Sequence, residues 1–324
     1  SRHPMQSPPV PKPATPPDNR SAARQWAPLA RFVAAEDALG RRAMRKGPLA
    51  HFAYEFVRFG IKQAWACLFA AVMLALIIST YLWYPKGAAL ARYDFLVLGA
   101  LALQASMLLF KLETWEEARV IFIFHAVGTV MEIFKTSVGS WTYPEPSLLR
   151  IGNVPLFTGF MYAAVGSYMT RCWRLFHFEF TRHPPLWALG LLSVAIYVNF
   201  FTHHYVWDVR PLLFAAAVVL FGPCTIHFKI WRRHRSMPLI VGLALVALFI
   251  WFAENIGTFT AAWVYPHQKA GWKPVPISKF GAWFLLMLLS YTMVAALNGI
   301  VSRKTSTPRR STAAPSGAST EATS

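Results

Sequence analysis

Charge is scarce in this chain. Asp, Glu, Lys and Arg together make up 14% of its 324 residues, where a soluble domain carries about a quarter. Acid is scarcest, with 14 Asp and Glu against 32 Lys and Arg. Cysteine is nearly absent: Cys67, Cys172 and Cys224 lie within or beside apolar runs, without ligand spacing or pairing, so they read as small buried hydrophobes. There is no Gly-rich phosphate loop, no GxSxG and no Cys/His pair of nucleophile type. The first 60 residues contain no apolar core of a cleavable signal peptide. These absences remove the common soluble enzyme classes.

The chain is 55% hydrophobic and 15% aromatic, with 13 Trp. That composition fits a chain whose solvent is a bilayer and whose indoles sit at headgroup level. The net charge of +18 does not point to nucleic acid, because the basic residues gather at the ends and in short gaps between apolar runs. Residues 1–22 are Pro-rich and residues 303–324 polar, so both are expected to be disordered. Residues 24–46 place Trp26, Phe32 and Leu39 among Arg31, Arg41, Arg42, Arg45 and Lys46. That pattern fits an amphipathic helix on an anionic membrane surface, or a solvated linker helix.

Eight apolar segments approach the ~20 residues a spanning helix needs. They fall near 61–84, 93–110, 118–139, 154–173, 185–202, 211–230, 237–259 and 278–301. With the N-terminus cytoplasmic, 24 of the 32 Lys and Arg lie on the cytoplasmic side and 8 on the other, which predicts that both termini are cytoplasmic. The expected fold is all-α, a polytopic membrane helix bundle.

A duplication organises the bundle. "EIFKTSVGSWTYP" at 132–144 returns as "ENIGTFTAAWVYP" at 254–266, matching Glu132 with Glu254, Thr136 with Thr258, Trp141 with Trp263, Tyr143 with Tyr265 and Pro144 with Pro266. Fainter echoes pair Trp65 with Trp187, Val154-Pro155 with Val275-Pro276, and Ser167-Tyr168 with Ser290-Tyr291. The predicted organisation is a basic N-terminal segment (1–48), two four-helix membrane repeats (49–175 and 176–301) and a tail (302–324). Each repeat holds an even number of spans, so the two share one orientation.

A carboxylate inside a span is unfavourable by a few kcal/mol and marks a functional candidate. Glu132 and Glu254 are therefore the candidate catalytic pair, able to share a proton as general acid and base. The alternative is that each fastens helix to helix through a local partner such as Lys135, Thr136 or a tyrosine hydroxyl. Trp141, Tyr143, Trp263 and Tyr265 are candidate substrate-binding residues, with membrane-interface anchoring as the competing reading. Asn255 joins them, as does His125, two helical turns before Glu132. Lys279 and Arg150 are expected as polar companions. His203, His204 and Asp208 could reach a zinc ion, but no third spaced ligand is evident and no metal is assigned. The sequence names no cofactor.

"EIFKTSVGSWTYPEP…NVPLFTGFMYAAVGSY" and "ENIGTFTAAWVYPHQ" resemble domain-of-unknown-function family 817, the YoaT-like bacterial integral membrane proteins, across about 50–301. That family brings no activity with it. Glu132, Gly139, Trp141, Tyr143 and Val154-Pro155-Leu156 also resemble, in order, the carotenoid hydratases, which implies a glutamic acid that protonates an apolar double bond. Two functions of different class follow. One is binding or modification of a lipidic or isoprenoid substrate; the other is proton- or cation-coupled transport of a small molecule.

Overall fold

The computed structural model describes residues 35, 38–232 and 234–302. The expected disordered segments 1–22 and 303–324, and most of the amphipathic stretch 24–46, lie outside the described residues; 38–45 are helical. Helices dominate: α1 (Pro48–Ala66), α2 (Leu68–Trp83), α3 (Arg92–Leu109), α4 (Trp115–Ser137), α5 (Phe157–Phe176), α6 (Leu186–Thr202), α7 (Arg210–Phe221), α8 (Leu239–Phe259) and α9 (Ser278–Asn298). Two short antiparallel sheets accompany them. One pairs β1 (Arg150–Ile151) with β2 (Val154–Pro155), and the other orders β3 (Glu179–Thr181), β4 (Thr225–Lys229) and β5 (His234–Pro238) side by side.

By length and composition α3, α4, α8 and α9 can each cross a membrane, and the bent pair α1–α2 makes a fifth span if counted as one. The expectation of eight spans therefore falls to four or five among the described residues. The segment 211–230 is not one helix: α7 stops at Phe221 and the chain turns into β4. The cause is a change of period, because Thr225–Lys229 alternates partly exposed and buried residues, with Ile226 and Phe228 inward. The expectation of an all-α fold is corrected by the same hairpin. α5 is long enough, but Arg171 and Arg174 lower its apolarity.

Those two arginines hold the end of the bundle opposite the duplicated phrase. Arg171 is fully buried; its Nη1 donates to the Trp65 carbonyl (2.8 Å), its Nη2 to that of Leu112 (3.0 Å), and its Nε lies 3.5 Å from Glu113 Oε1. Ser167 Oγ donates to the same carboxylate at 2.6 Å. Arg174 pairs with Glu117 at 3.0 Å, and Glu117 also closes a capping box with Thr114 at the start of α4. The α1–α2 break bends the chain by 68°. Arg171 there satisfies a carbonyl beside the break, a recognised cause of a sharp kink.

The main apolar core gathers inward residues of α4 to α9, and a second joins α2, α3 and α5. Large apolar side chains such as Phe122, Leu212, Val219 and Phe249 are exposed on the helix flanks. Apolar residues both inside and outside suit helices surrounded by lipid.

Candidate functional site

Both copies of the duplicated phrase leave their helix by the same turn. After α4, Val138 N–H donates to the Phe134 carbonyl, Gly139 to Thr136 and Ser140 to Lys135, at 3.1, 3.2 and 2.9 Å. After α8, Thr260 donates to Ile256, Ala261 to Thr258 and Ala262 to Gly257, at 2.9, 3.1 and 3.0 Å. Each bond in one set lies 122 positions from its counterpart. Gly139 (φ +70°) and Ala261 (φ +52°) occupy the left-handed position that ends such helices.

The chains leaving these turns meet. Thr142 and Val264 form an antiparallel bridge and exchange both backbone bonds, N to O 2.9 Å each way. They too are matched positions, so the contact is reciprocal, as across a two-fold axis. Trp141 packs edge-on to Tyr265, ring centres 5.9 Å apart.

This junction folds the aromatic side chains back onto the glutamates. Glu132, 4% exposed, accepts from Trp141 Nε1 (2.7 Å) and Tyr143 Oη (2.5 Å) on Oε2, and from Tyr162 Oη (2.8 Å) on Oε1. Glu254, 3% exposed, accepts from Tyr265 Oη on Oε1 and from Trp283 Nε1 on Oε2 at 2.5 Å. An indole N–H can only donate, so each carboxylate has one oxygen fixed as an acceptor.

Both carboxylates line one cavity of about 710 Å³, a volume typical of small-molecule sites. Away from them the lining is almost wholly apolar and ends among Phe176, Phe178, Phe228 and Met237. Phe56 of α1 and Leu245 and Phe249 of α8 belong to the lining and are also 67%, 48% and 71% exposed. The cavity therefore opens sideways between α1 and α8.

Cations stand outside this cavity. Lys279 Nζ lies 4.5 Å from the ring centre of Tyr265 and 5.3 Å from that of Trp141. Lys135, buried, contacts His204 Nε2 at 2.9 Å and lies 4.1 Å from the Phe200 ring centre. Asp208 forms an ion pair with Arg210 at 2.5 Å, and that bond holds its carboxyl down to about 2.

The predicted site residues thus divide. Glu132, Glu254, Trp141, Tyr143, Trp263 and Tyr265 come together on the cavity wall. His125 does not join them. Its ring lies 4.4 Å from that of Phe160, in the space left by Gly159, where α4 and α5 pack closely. Asn255 is also absent from the lining: it donates to the Trp251 carbonyl and accepts from Val275 N–H, tying α8 to the following loop. Arg150 turns to the Gly152 carbonyl within the β1–β2 hairpin. Asp208 is engaged by Arg210 and His204 by Lys135, and among the described residues no three His, Cys, Asp or Glu side chains converge on a metal site. Neither glutamate pairs with Lys135; Thr136 instead donates to the backbone carbonyl of Glu132.

Sequence reasoning missed Tyr162 and Trp283, the donors from α5 and α9. The signal was available: the offset of 121 that matches Val154-Pro155 with Val275-Pro276 also matches Tyr162 with Trp283.

A family model described as a protein of unknown function, DUF817, matches residues 55–291. "Uncharacterized protein YoaT" of Bacillus subtilis (strain 168) is 40% identical over 247 residues, 76% of this chain and 92% of the relative. No solved structure matches the chain. Neither comparison carries the carotenoid-hydratase likeness. A match across both glutamates and the turns that position them settles the family: this chain belongs to DUF817.

Proposed function

We propose that this chain is a membrane-embedded binding protein for a single-chain amphiphile, taken laterally from the bilayer and held by its head group at Glu132 and Glu254. One observation carries the reading: two buried carboxylates lie at one end of an apolar cavity that opens between α1 and α8. Such a cavity suits a ligand with a long apolar body and a small polar head. The glutamates act as head-group acceptors, with Trp141, Tyr143, Trp263 and Tyr265 forming the wall around the head.

A general-acid role would have to use the other oxygen of each carboxyl, because Trp141 and Trp283 each hold one as an acceptor. Coupled transport would need a polar path through the other half of the molecule. The lining there, Phe176, Phe178, Phe228 and Met237, is apolar.

The proposed setting is a bacterial inner membrane with both termini cytoplasmic, which the asymmetry of Lys and Arg supports. In this setting 49–175 and 176–301 are two repeats in one orientation, flanked by a basic N-terminal segment and a C-terminal tail. The matched turns after α4 and α8 support the repeat.

The test is photo-crosslinking in nanodiscs with a diazirine-bearing long-chain amphiphile, followed by peptide mapping. Label on cavity residues such as Met161 and Val165, suppressed by Ala253→Trp, is the expected result. Label confined to the outer flanks of the helices contradicts the reading.

A further inference from the structure

We propose that the head group this site selects is a protonated amine, so that the ligand is a long-chain alkylammonium. The inference rests on the binding reading above and specifies its chemistry.

The polar end of the cavity has acceptors to spare. When ionised opposite a cation, the two carboxylates offer about eight lone-pair directions, and the five donors that reach them are Trp141, Tyr143, Tyr162, Tyr265 and Trp283. About three acceptor positions remain for a ligand that donates. A carboxylate or phosphate head would meet like charge and is excluded.

Charge narrows the choice further. The cavity lining contains Glu132 and Glu254 and no Lys, Arg or His. Among the described residues neither glutamate has an ion-pair partner within 4.0 Å. Lys279 is outside the lining with its Nζ over the rings of Tyr265 and Trp141, and Lys135 turns to His204. A buried carboxylate without an opposite charge is unfavourable, and a ligand bearing one positive charge supplies what the wall lacks.

The wall itself suits a cation. Rings of Trp141, Tyr143, Tyr162, Trp263, Tyr265 and Trp283 surround the carboxylates, and aromatic faces attract ammonium groups. Lys279 already makes that contact with two of these rings. An alcohol fills the acceptors but leaves the charge unmet, and a quaternary ammonium meets the charge but donates no hydrogen bond. A primary ammonium does both.

The experiment uses the full chain in phosphatidylcholine nanodiscs at neutral pH, with tryptophan fluorescence as the signal. Hexadecylamine, hexadecyltrimethylammonium, hexadecanol and hexadecanoate are titrated, each corrected for partition into empty nanodiscs. The amine is expected to bind about tenfold tighter than the alcohol, with the carboxylate weakest. Glu132→Gln and Glu254→Gln keep an acceptor for each indole while removing charge. Each should weaken amine binding about tenfold and alcohol binding by a clearly smaller factor. Alcohol equal to amine, or carboxylate tightest, overturns the proposal while leaving the cavity reading in place. Failure of all four to bind overturns both. Where a Gln variant does not fold, the selectivity series on the native chain decides alone.

Discussion

Glu132 and Glu254 sit at matched positions, yet their surroundings differ. Glu132 takes the indole of its own phrase, Trp141, while Glu254 takes an indole from the next helix, Trp283. The cause lies one turn along. Where the first copy has Lys135 the second has Gly257, and Trp263 packs into the space that glycine leaves. In the first copy that position carries the Lys135 side chain, and there Trp141 turns its N–H to the carboxylate. One residue difference in an otherwise copied turn thus makes the first glutamate the more heavily bonded. The pair is not two equal half-sites.

The largest way to break this comparison is to remove each carboxylate. Glu132→Ala orphans three donors and Glu254→Ala two, and each buried unsatisfied group costs about 1–3 kcal/mol. Glu132→Ala should therefore be the more destabilised by about 1–3 kcal/mol in denaturant titrations followed by tryptophan fluorescence; equal losses would erase the asymmetry.

Gly257→Ala comes next. A methyl group at 257 would stand 2.1 Å from the Trp263 ring, and such overpacking costs about 1–3 kcal/mol. The variant should also shift the tryptophan emission, because the displaced ring is part of the cavity wall. An unchanged spectrum and midpoint would show that Trp263 does not fill that space.

The two turns give a smaller pair of opposite sign. Gly139→Ala places a Cβ at positive φ and should destabilise by about 1 kcal/mol, whereas Ala261→Gly relieves that penalty and should stabilise by up to about 1 kcal/mol. Paired thermal melts read both, and the same sign for both contradicts the matched geometry.

The smallest effect is at Asp208, in the turn between α6 and α7. Arg210 holds its carboxyl near 2, below the ordinary 3.8. Because the folded value is depressed, the stabilisation is fully present above 3.8 and is lost as pH falls through about 2. Asp208→Asn should lower the melting temperature slightly at neutral pH and match the native chain at the acid end. A constant difference across the range would contradict the pairing.

How much of this could be read from the chain alone follows from what side-chain identity encodes. The duplication was legible because its identities are polar, aromatic or Pro, types that apolar spans do not share by chance. The direction of Trp141 and Tyr143 was not. Aromatic residues at a helix end read as interface anchors, and nothing in composition says that the turn after Val138 points their polar tips inward. His125 shares a helical face with Glu132, but close packing at Gly159 draws it into the α4–α5 seam. The hairpin after α7 was hidden because an apolar run of that length serves a strand or a helix equally. Tyr162 and Trp283 escaped because the offset slips by one residue between phrase and helix, and because the two differ in identity.

The central claim is that the two copies of the phrase meet face to face and so bring both glutamates to one cavity. Disulfide formation in Thr142→Cys/Val264→Cys, with the native cysteines replaced, tests it most directly. A doubly bonded antiparallel pair places its Cα atoms about 5.5 Å apart, within disulfide reach. Mild oxidation of the membrane-embedded chain should give nearly complete intramolecular crosslinking, while a Thr142→Cys/Phe249→Cys control stays reduced. Absence of the crosslink, or its appearance only between molecules, would contradict the account.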